Sequence, residues 1–155
     1  MPETASVLFV CLGNICRSPL AEGVFLHLAR ERGVAERFQV DSAGTEGWHS
    51  GEPADPRSIA VARRHGVDLP SRARKVTPDD LDRFDLVVVM DGSNRDDLVA
   101  LGADPSRVRL LRAWDPEAEP GDEVPDPYYG GDDGFDLVYA MCDRACRGLL
   151  AATAP

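Results

Sequence analysis

The apolar run Val7-Leu8-Phe9-Val10 ends on Cys11, and helix signals begin a few residues later at Ser18-Pro19. β-branched and aromatic residues in so short a run read as a buried strand. Ser18 reads as a helix N-cap with Pro19 at the first helical position. Strand, short loop and helix in that order form the first half of a βαβ unit. The loop between them, Leu12-Gly13-Asn14-Ile15-Cys16-Arg17, faces the positive end of a helix dipole and its unpaired N–H groups. A thiol there is biased toward thiolate, the nucleophilic form. The same N–H groups suit a phosphate, and Arg17 adds a permanently charged, bidentate fork. One loop thus offers both a nucleophile and a cradle for a dianion, which points to phosphoryl transfer onto sulfur.

Beyond this unit the chain alternates strand and helix. Strands are predicted at Ser6–Cys11, Phe38–Ser42, Asp85–Asp91 and Val108–Leu111. Helices are predicted at Pro19–Arg32, Arg57–His65, Ser93–Leu101 and Phe135–Ala152, with a short turn at Leu81–Phe84. Gly33, Gly66 and Gly102 stand where three of these helices should stop. Alternation of this kind predicts an α/β fold: a three-layer, doubly wound domain with a central four-stranded parallel sheet flanked by helices. Residues 1–155 read as a single domain, with no repeat and no linker. Ligands in such sheets bind beyond the carboxyl ends of the strands, and Cys11, Ser42 and Asp91 all fall at such ends. The stretch Trp114–Asp133 exceeds an ordinary connection, which points to function or mobility and not to a domain boundary.

A net charge of −10 over the chain argues against a nucleic-acid partner. No apolar run approaches the ~20 residues of a membrane span. Met1-Pro2-Glu3-Thr4-Ala5 has none of the features of a leader, so the expected location is cytoplasmic, with no membrane partner. The four cysteines are then expected as reduced thiols. Cys142 and Cys146, four apart on a helix, read as buried small hydrophobes. His27, His49 and His65 have no metal-ligand spacing, so neither metal nor cofactor is expected, and His27 and His65 read as packing or surface residues. Arg57, Arg63, Arg64, Arg72, Arg74 and Lys75 are candidates for a positive rim or for a solvated basic face.

The spacing Cys-x5-Arg-Ser from Cys11 to Ser18 resembles that of the low-molecular-weight protein tyrosine phosphatases. The likeness continues in order through Asp41-Ser42-Ala43-Gly44-Thr45, Met90-Asp91-Gly92-Ser93-Asn94 and Asp126-Pro127-Tyr128-Tyr129-Gly130, over nearly the whole chain. It implies hydrolysis of phosphotyrosine or small aryl phosphates through a phosphocysteine at Cys11. Leu12, Gly13, Asn14, Ile15, Cys16 and Arg17 would bind the phosphate, and Ser18 would donate to the thiolate. Asp126 would be the general acid, a role for which the residues alone leave Asp115, Asp122, Asp132 and Asp133 as competitors. Trp48, Tyr128 and Tyr129 would wall the cleft, while Ile15 and Leu12 edge its floor. Ser42 would bond Asn14, and Asp91 would anchor neighbouring loops from its strand end. Gly13 is expected to take unusual dihedrals and Asn14 to tolerate a left-handed turn. The likeness also implies that Cys11 and Cys16 form a reversible protective disulfide, against the plain alternative that Cys16 is a packed thiol. The protein is expected to act as a monomer that releases inorganic phosphate. One departure stands out: many members carry a histidine just before the Arg-x-Arg-like segment, whereas this chain reads Leu69-Pro70-Ser71-Arg72-Ala73-Arg74.

Other readings are weaker. Arsenate reduction on this scaffold needs relay cysteines, and none lies between Cys16 and Cys142. Arginine phosphatases resemble the chain but carry a small polar residue in place of Ile15 and phenylalanine in place of Tyr128. A non-catalytic phosphotyrosine-binding module would not keep both Cys11 and Asp126. A nucleotide-binding domain lacks its Gly-x4-Gly-Lys signature here.

Overall fold

The strand that carries Cys11 lies inside the sheet and is buried on both faces. The computed structural model describes residues 4–154. Residues 1–3, on which part of the leader reading falls, and the Asp132 side chain lie outside the described residues. Four strands, β1 (Ala5–Cys11), β2 (Phe38–Gly44), β3 (Leu86–Val89) and β4 (Val108–Leu110), pair in the order β2-β1-β3-β4, all parallel. Five helices accompany them: α1 (Arg17–Glu31), α2 (Pro56–Arg64), α3 (Pro78–Arg83), α4 (Gly92–Ala100) and α5 (Asp132–Thr153).

The period-two pleat divides the apolar residues between two cores. Val7 and Phe9 face α1, α2 and α5, where they meet Leu20, Val24, Phe25, Val61 and Val138. Leu8 and Val10 face the other side, with Leu81 of α3 and Leu98 of α4. Both faces of the sheet are therefore covered, as the unbroken apolar strands require. After β1 the chain turns to one side to make β2, then crosses back to make β3 on the other. That reversal opens a crevice at the carboxyl end of β1. The register holds the ends level there, with Cys11 opposite Gly44 and Val10 opposite Val89.

Gly33, with φ +70°, ends α1 in the left-handed region, and Gly66 and Gly102 do the same for α2 and α4. The predicted start of α1 is corrected. Cys16, not Ser18, is the N-cap, and the helix begins at Arg17. Pro19 is thus the third helical residue, tolerated because that N–H would be unpaired anyway. β2 runs two residues past the predicted end because Gly44 still pairs with Cys11. α5 begins three residues early, at Asp132, where a glycine-rich entry hides the helix signal.

The long segment after β4 opens on the 3₁₀ turn Leu111–Trp114 and is then fastened by Asp115. Its buried carboxylate accepts from Arg112 Nε at 3.1 Å and from Arg144 of α5 at 3.0 Å. Burial opposes the charge, but Arg144, the Glu117 N–H and Arg112 outweigh it and hold this carboxyl below its ordinary value. No helix among the described residues is long and apolar enough to cross a membrane. Replacing Asp115 by Asn removes the buried anion shared by two arginines, leaving only the exposed Asp122 and Glu117 beside them, and is expected to cost about 3 kcal/mol in denaturant unfolding at neutral pH. Because the native carboxyl titrates low, this stabilisation is complete above the unfolded value, about pH 4, and is lost as pH falls through the folded one. The stability gap between wild type and D115N should therefore close in acid.

Candidate active site

Between β1 and α1 the loop turns its carbonyls outward. Leu12 O accepts from Glu46 N at 2.9 Å, Ile15 O from Asp55 N at 2.8 Å, and Cys16 O from Ser58 Oγ at 3.3 Å. Among the described residues, no backbone N–H from Leu12 to Cys16 donates to a protein acceptor. The loop is therefore a ring of free donors closed on the side of the α1 N-terminus. It can sit this low because β2 ends in glycine: a Cβ on Gly44 would lie 2.8 Å from Leu12 O and 3.1 Å from Asn14 N. The left-handed turn falls on Asn14, with φ +58°, and not on Gly13. Gly13 instead makes room for a side chain, since a Cβ there would lie 3.2 Å from His49 Cδ2.

Asn14 is held in that turn by three bonds. Its Oδ1 accepts from Arg74 N at 3.0 Å, which fixes the orientation of the amide. Its Nδ2 then donates to Ser18 Oγ at 2.7 Å and to Ser42 Oγ at 3.0 Å. Ser42 donates in turn to Glu22 Oε1 at 2.6 Å. Ser18, with Asn14 on one of its two lone pairs, lies 3.0 Å from Cys11 Sγ and donates to it when the sulfur is a thiolate. Ser18 thus serves the sulfur and does not cap the helix. Glu22 is mostly buried, and burial pushes its carboxyl above the usual range.

Arg17 is 2 % exposed, deeper than any other arginine that makes an ion pair here. Its Nη1 donates to Asp91 Oδ2 at 2.7 Å and to Val124 O at 3.0 Å. Nη2 lies 3.6 Å from Asp126 Oδ2. The Nε–Nη2 edge makes no hydrogen bond among the described residues, so it remains a free fork. Burial disfavours the charge, yet the Cys11 sulfur, Asp91 and Asp126 together hold it above its ordinary value. Asp91 does more than anchor loops. It caps α4, accepting from Asn94 N at 2.8 Å, with Asn94 returning the bond in a capping box.

Cys11, Arg17 and Asp126 meet at one cavity of about 120 Å³. Leu12, Gly13, Ile15 and Cys16 form its floor, and Trp48, Tyr128 and Tyr129 stand at its rim. Asp126 is oriented by Tyr128 N, which donates to Oδ1 at 3.0 Å. Of its described competitors, Asp115 is buried under two arginines, and neither Asp122 nor Asp133 lines the cavity; the Asp132 side chain lies outside the described residues. Burial, with Asp55 and Cys11 adding to it, pushes the Cys16 thiol up to about 12. All four cysteines are free, and Cys142 and Cys146 are buried in the core.

The model for the low molecular weight phosphotyrosine protein phosphatases matches residues 6–154. The chain belongs to this family. It is 48% identical over 153 residues to the low molecular weight protein-tyrosine-phosphatase of Streptomyces coelicolor, covering 96% of this chain and 93% of that one. The crystal structure of a protein tyrosine phosphatase from Entamoeba histolytica, with Hepes in its active site, superposes with a TM-score of 0.90 at 35% identity, covering 96% of each chain. A Drosophila arginine phosphatase superposes with a TM-score of 0.86 at 31% identity, covering 96% of this chain and 98% of that one.

Within this family member, the sequence reading missed three residues. His49 lines the cavity, its Nδ1 2.8 Å from Glu52 Oε2 and its ring packed over Gly13. A lone loop histidine carries no spacing signal. Glu22 ends the hydrogen-bond series from the sulfur. Its position four residues after Ser18 on α1 puts both on one helix face, a signal that was available. Arg74 supports the loop through its backbone, while its guanidinium binds Asp41 and Asp80. Arg57 is the one member of the expected basic rim that approaches the cavity wall, 5.5 Å from the Tyr128 ring centre, and it is paired with Asp55. His27 lies beside Glu31 and His65 stacks on Tyr139, away from the cavity. Replacing Asn14 by Ala removes three buried bonds and leaves a β-carbon at positive φ. The expected loss is about 2–3 kcal/mol in thermal unfolding, together with weaker binding of inorganic phosphate by isothermal titration.

Proposed function

We propose that this protein hydrolyses phosphotyrosine and related aryl phosphates through a phosphocysteine on Cys11. The observation that carries the reading is the convergence on one sulfur of the unpaired loop N–H groups, the free Arg17 edge and the Asp126 carboxyl. Three phosphoryl oxygens accept from the loop N–H groups and from the Nε–Nη2 fork. Asp91 and Val124 keep Nη1 occupied and so aim that fork. Sγ attacks phosphorus in line; the S–P bond forms as the P–O bond to the phenol breaks, and protonated Asp126 gives its proton to the leaving oxygen. In the second step Asp126, now a carboxylate, takes a proton from water. The water oxygen attacks phosphorus, the P–S bond breaks, and the departing sulfur regains the Ser18 hydrogen bond. Orthophosphate leaves.

The aromatic rim of Trp48, Tyr128 and Tyr129 and the apolar Ile15 favour a phenyl ring over a guanidinium at the entrance. This supports phosphotyrosine over phosphoarginine. Residues 1–155 would act as one domain and as a monomer, on a phosphotyrosyl protein or a small aryl phosphate. Four free thiols fit a reducing, cytoplasmic compartment.

Cys11→Ser should abolish turnover while keeping affinity for a phosphate analogue, and acid-quenched wild type should carry a phosphoryl mass adduct on Cys11. Asp126→Ala should slow aryl phosphates with poor leaving groups by roughly 10²–10³-fold and those with good leaving groups far less; an equal loss in both would remove Asp126 as the proton donor. Rates on phosphotyrosine, phosphoserine and phosphoarginine peptides should fall in that order of preference from the first. Ile15→Thr should shift preference toward phosphoarginine; unchanged or poorer phosphoarginine turnover would count against Ile15 as the floor of the pocket.

A further inference from the structure

Asp126 stands on a stretch of chain with little hold of its own. Pro125 and Pro127 flank it and have no N–H to give. Among the described residues the backbone of Asp126 makes no hydrogen bond. Its place is therefore set by the residues that tie the chain down on either side. Downstream, Pro127 is buried, and Tyr128 N donates back to the Asp126 carboxyl at 3.0 Å. Upstream, the nearest ties fall on Glu123 and Val124. Val124 N donates to Met90 O at 2.8 Å, Val124 O accepts from Arg17 Nη1 at 3.0 Å, and Glu123 O accepts from Arg112 Nη1 at 3.3 Å. The fourth tie is made by a side chain: Glu123 Oε2 accepts from Gly92 N at 2.7 Å.

Gly92 is the first residue of α4, so its N–H has no partner inside the helix. Asp91 already caps that terminus on Asn94 N. A second carboxylate gains a charge-assisted bond and the favourable end of the dipole. The glycine itself fits this contact. It is a poor helix residue, and no left-handed φ calls for it at this position. A Cβ on Gly92 would meet one atom within 4 Å, the Glu123 Oε2, at 3.2 Å. The absent side chain thus leaves open the approach of that carboxylate. Glu123 does not line the cavity at Cys11, so its reach to the chemistry runs through the chain.

We propose that Glu123 is a positioning residue for the reaction: its carboxylate, seated on the Gly92 N–H, clamps residues 123–126 to the start of α4 and so holds Asp126 where it protonates the leaving oxygen. The inference rests on Asp126 being the general acid. Proton transfer is steeply sensitive to small displacements of the donor. Phosphate binding is not exposed in the same way. With the carboxylate gone, Val124 keeps both of its own bonds, Asp91 still holds Arg17, and the loop N–H groups are untouched. Loss of the clamp should fall on the acid and spare the cradle.

The test compares kcat/KM on phenyl phosphate, whose leaving group is poor, with that on p-nitrophenyl phosphate, whose leaving group needs little protonation. Glu123→Ala should lose about tenfold on phenyl phosphate, what one charge-assisted hydrogen bond is worth. It should change little on p-nitrophenyl phosphate, or in affinity for inorganic phosphate by isothermal titration. Glu123→Gln keeps an oxygen for the Gly92 N–H and should recover most of the loss. In an Asp126→Ala background, Glu123→Ala should cost nothing further on phenyl phosphate, because the two residues act as a unit. In 1H–15N spectra the Gly92 amide proton should move upfield in Glu123→Ala and stay close to its wild-type position in Glu123→Gln. An unchanged rate on phenyl phosphate would overturn the role. So would equal losses on both substrates, a parallel loss of phosphate affinity, a full further loss in the Asp126→Ala background, or an unmoved Gly92 amide. Asp126→Ala losing equally on both substrates would instead strike the general acid, and the Gly92 shift would still report the clamp.

Discussion

A guanidinium buried at the positive end of a helix is an expense that the fold meets chiefly with one hydrogen-bonded carboxylate. Arg17 opens α1, where the dipole and its own desolvation both oppose its charge. Asp91 answers it at 2.7 Å. The two residues are far apart in sequence, and they meet because β3 lies directly beside β1 and not beyond β2. The sheet order β2-β1-β3-β4 is thus a condition for the ion pair, and the ion pair in turn fixes which edge of Arg17 faces the cavity. The same neighbour relation brings Val124, tied to the end of β3 through Met90 O, to where its carbonyl accepts the second N–H of Nη1.

The molecule as a whole is acidic, while its cavity is built around hydrogen-bond donors. A chain at −10 would repel a phosphate dianion if its carboxylates were spread without order. Those near the cavity are instead engaged, Asp91 by Arg17 and Asp55 by Arg57. Beside the Cys11 sulfur and the Asp126 carboxyl, what faces the cavity is a ring of N–H dipoles and half of a guanidinium, which act within a few ångströms. Distant surface charge is screened over about a Debye length.

Much of this was legible in the sequence, and the failures have physical causes. Alternating strands and helices gave the layers, and the apolar run Leu86–Met90 marked the buried strand. Cys11, Arg17, Ser42, Asp91 and Asp126 were found because each ends a strand or sits in a dense local motif. The Ser18-Pro19 pair misled on the start of α1, because a serine side chain can cap a helix or turn to a stronger local partner, and here the sulfur competes. The left-handed turn expected at Asn14 is there, compensated by three hydrogen bonds to its amide, and this leaves Gly13 without the unusual dihedrals expected of it. Glu22 was signalled by its place one turn after Ser18 on α1, but His49 and Arg74 escaped because their roles arise from contacts between segments distant in the chain. Nothing in local pattern encodes such contacts.

The double service of Asp91 narrows what evolution can place there. One oxygen caps α4, and the other neutralises Arg17. Asparagine would preserve the cap and forfeit the charge. Glutamate would preserve the charge, but its longer stem no longer fits the short geometry of a cap. Serine and threonine fail the arginine altogether. Two unrelated demands, one architectural and one electrostatic, intersect in a single side chain, so drift at this position should be far more restricted than its partial exposure at a strand end would imply.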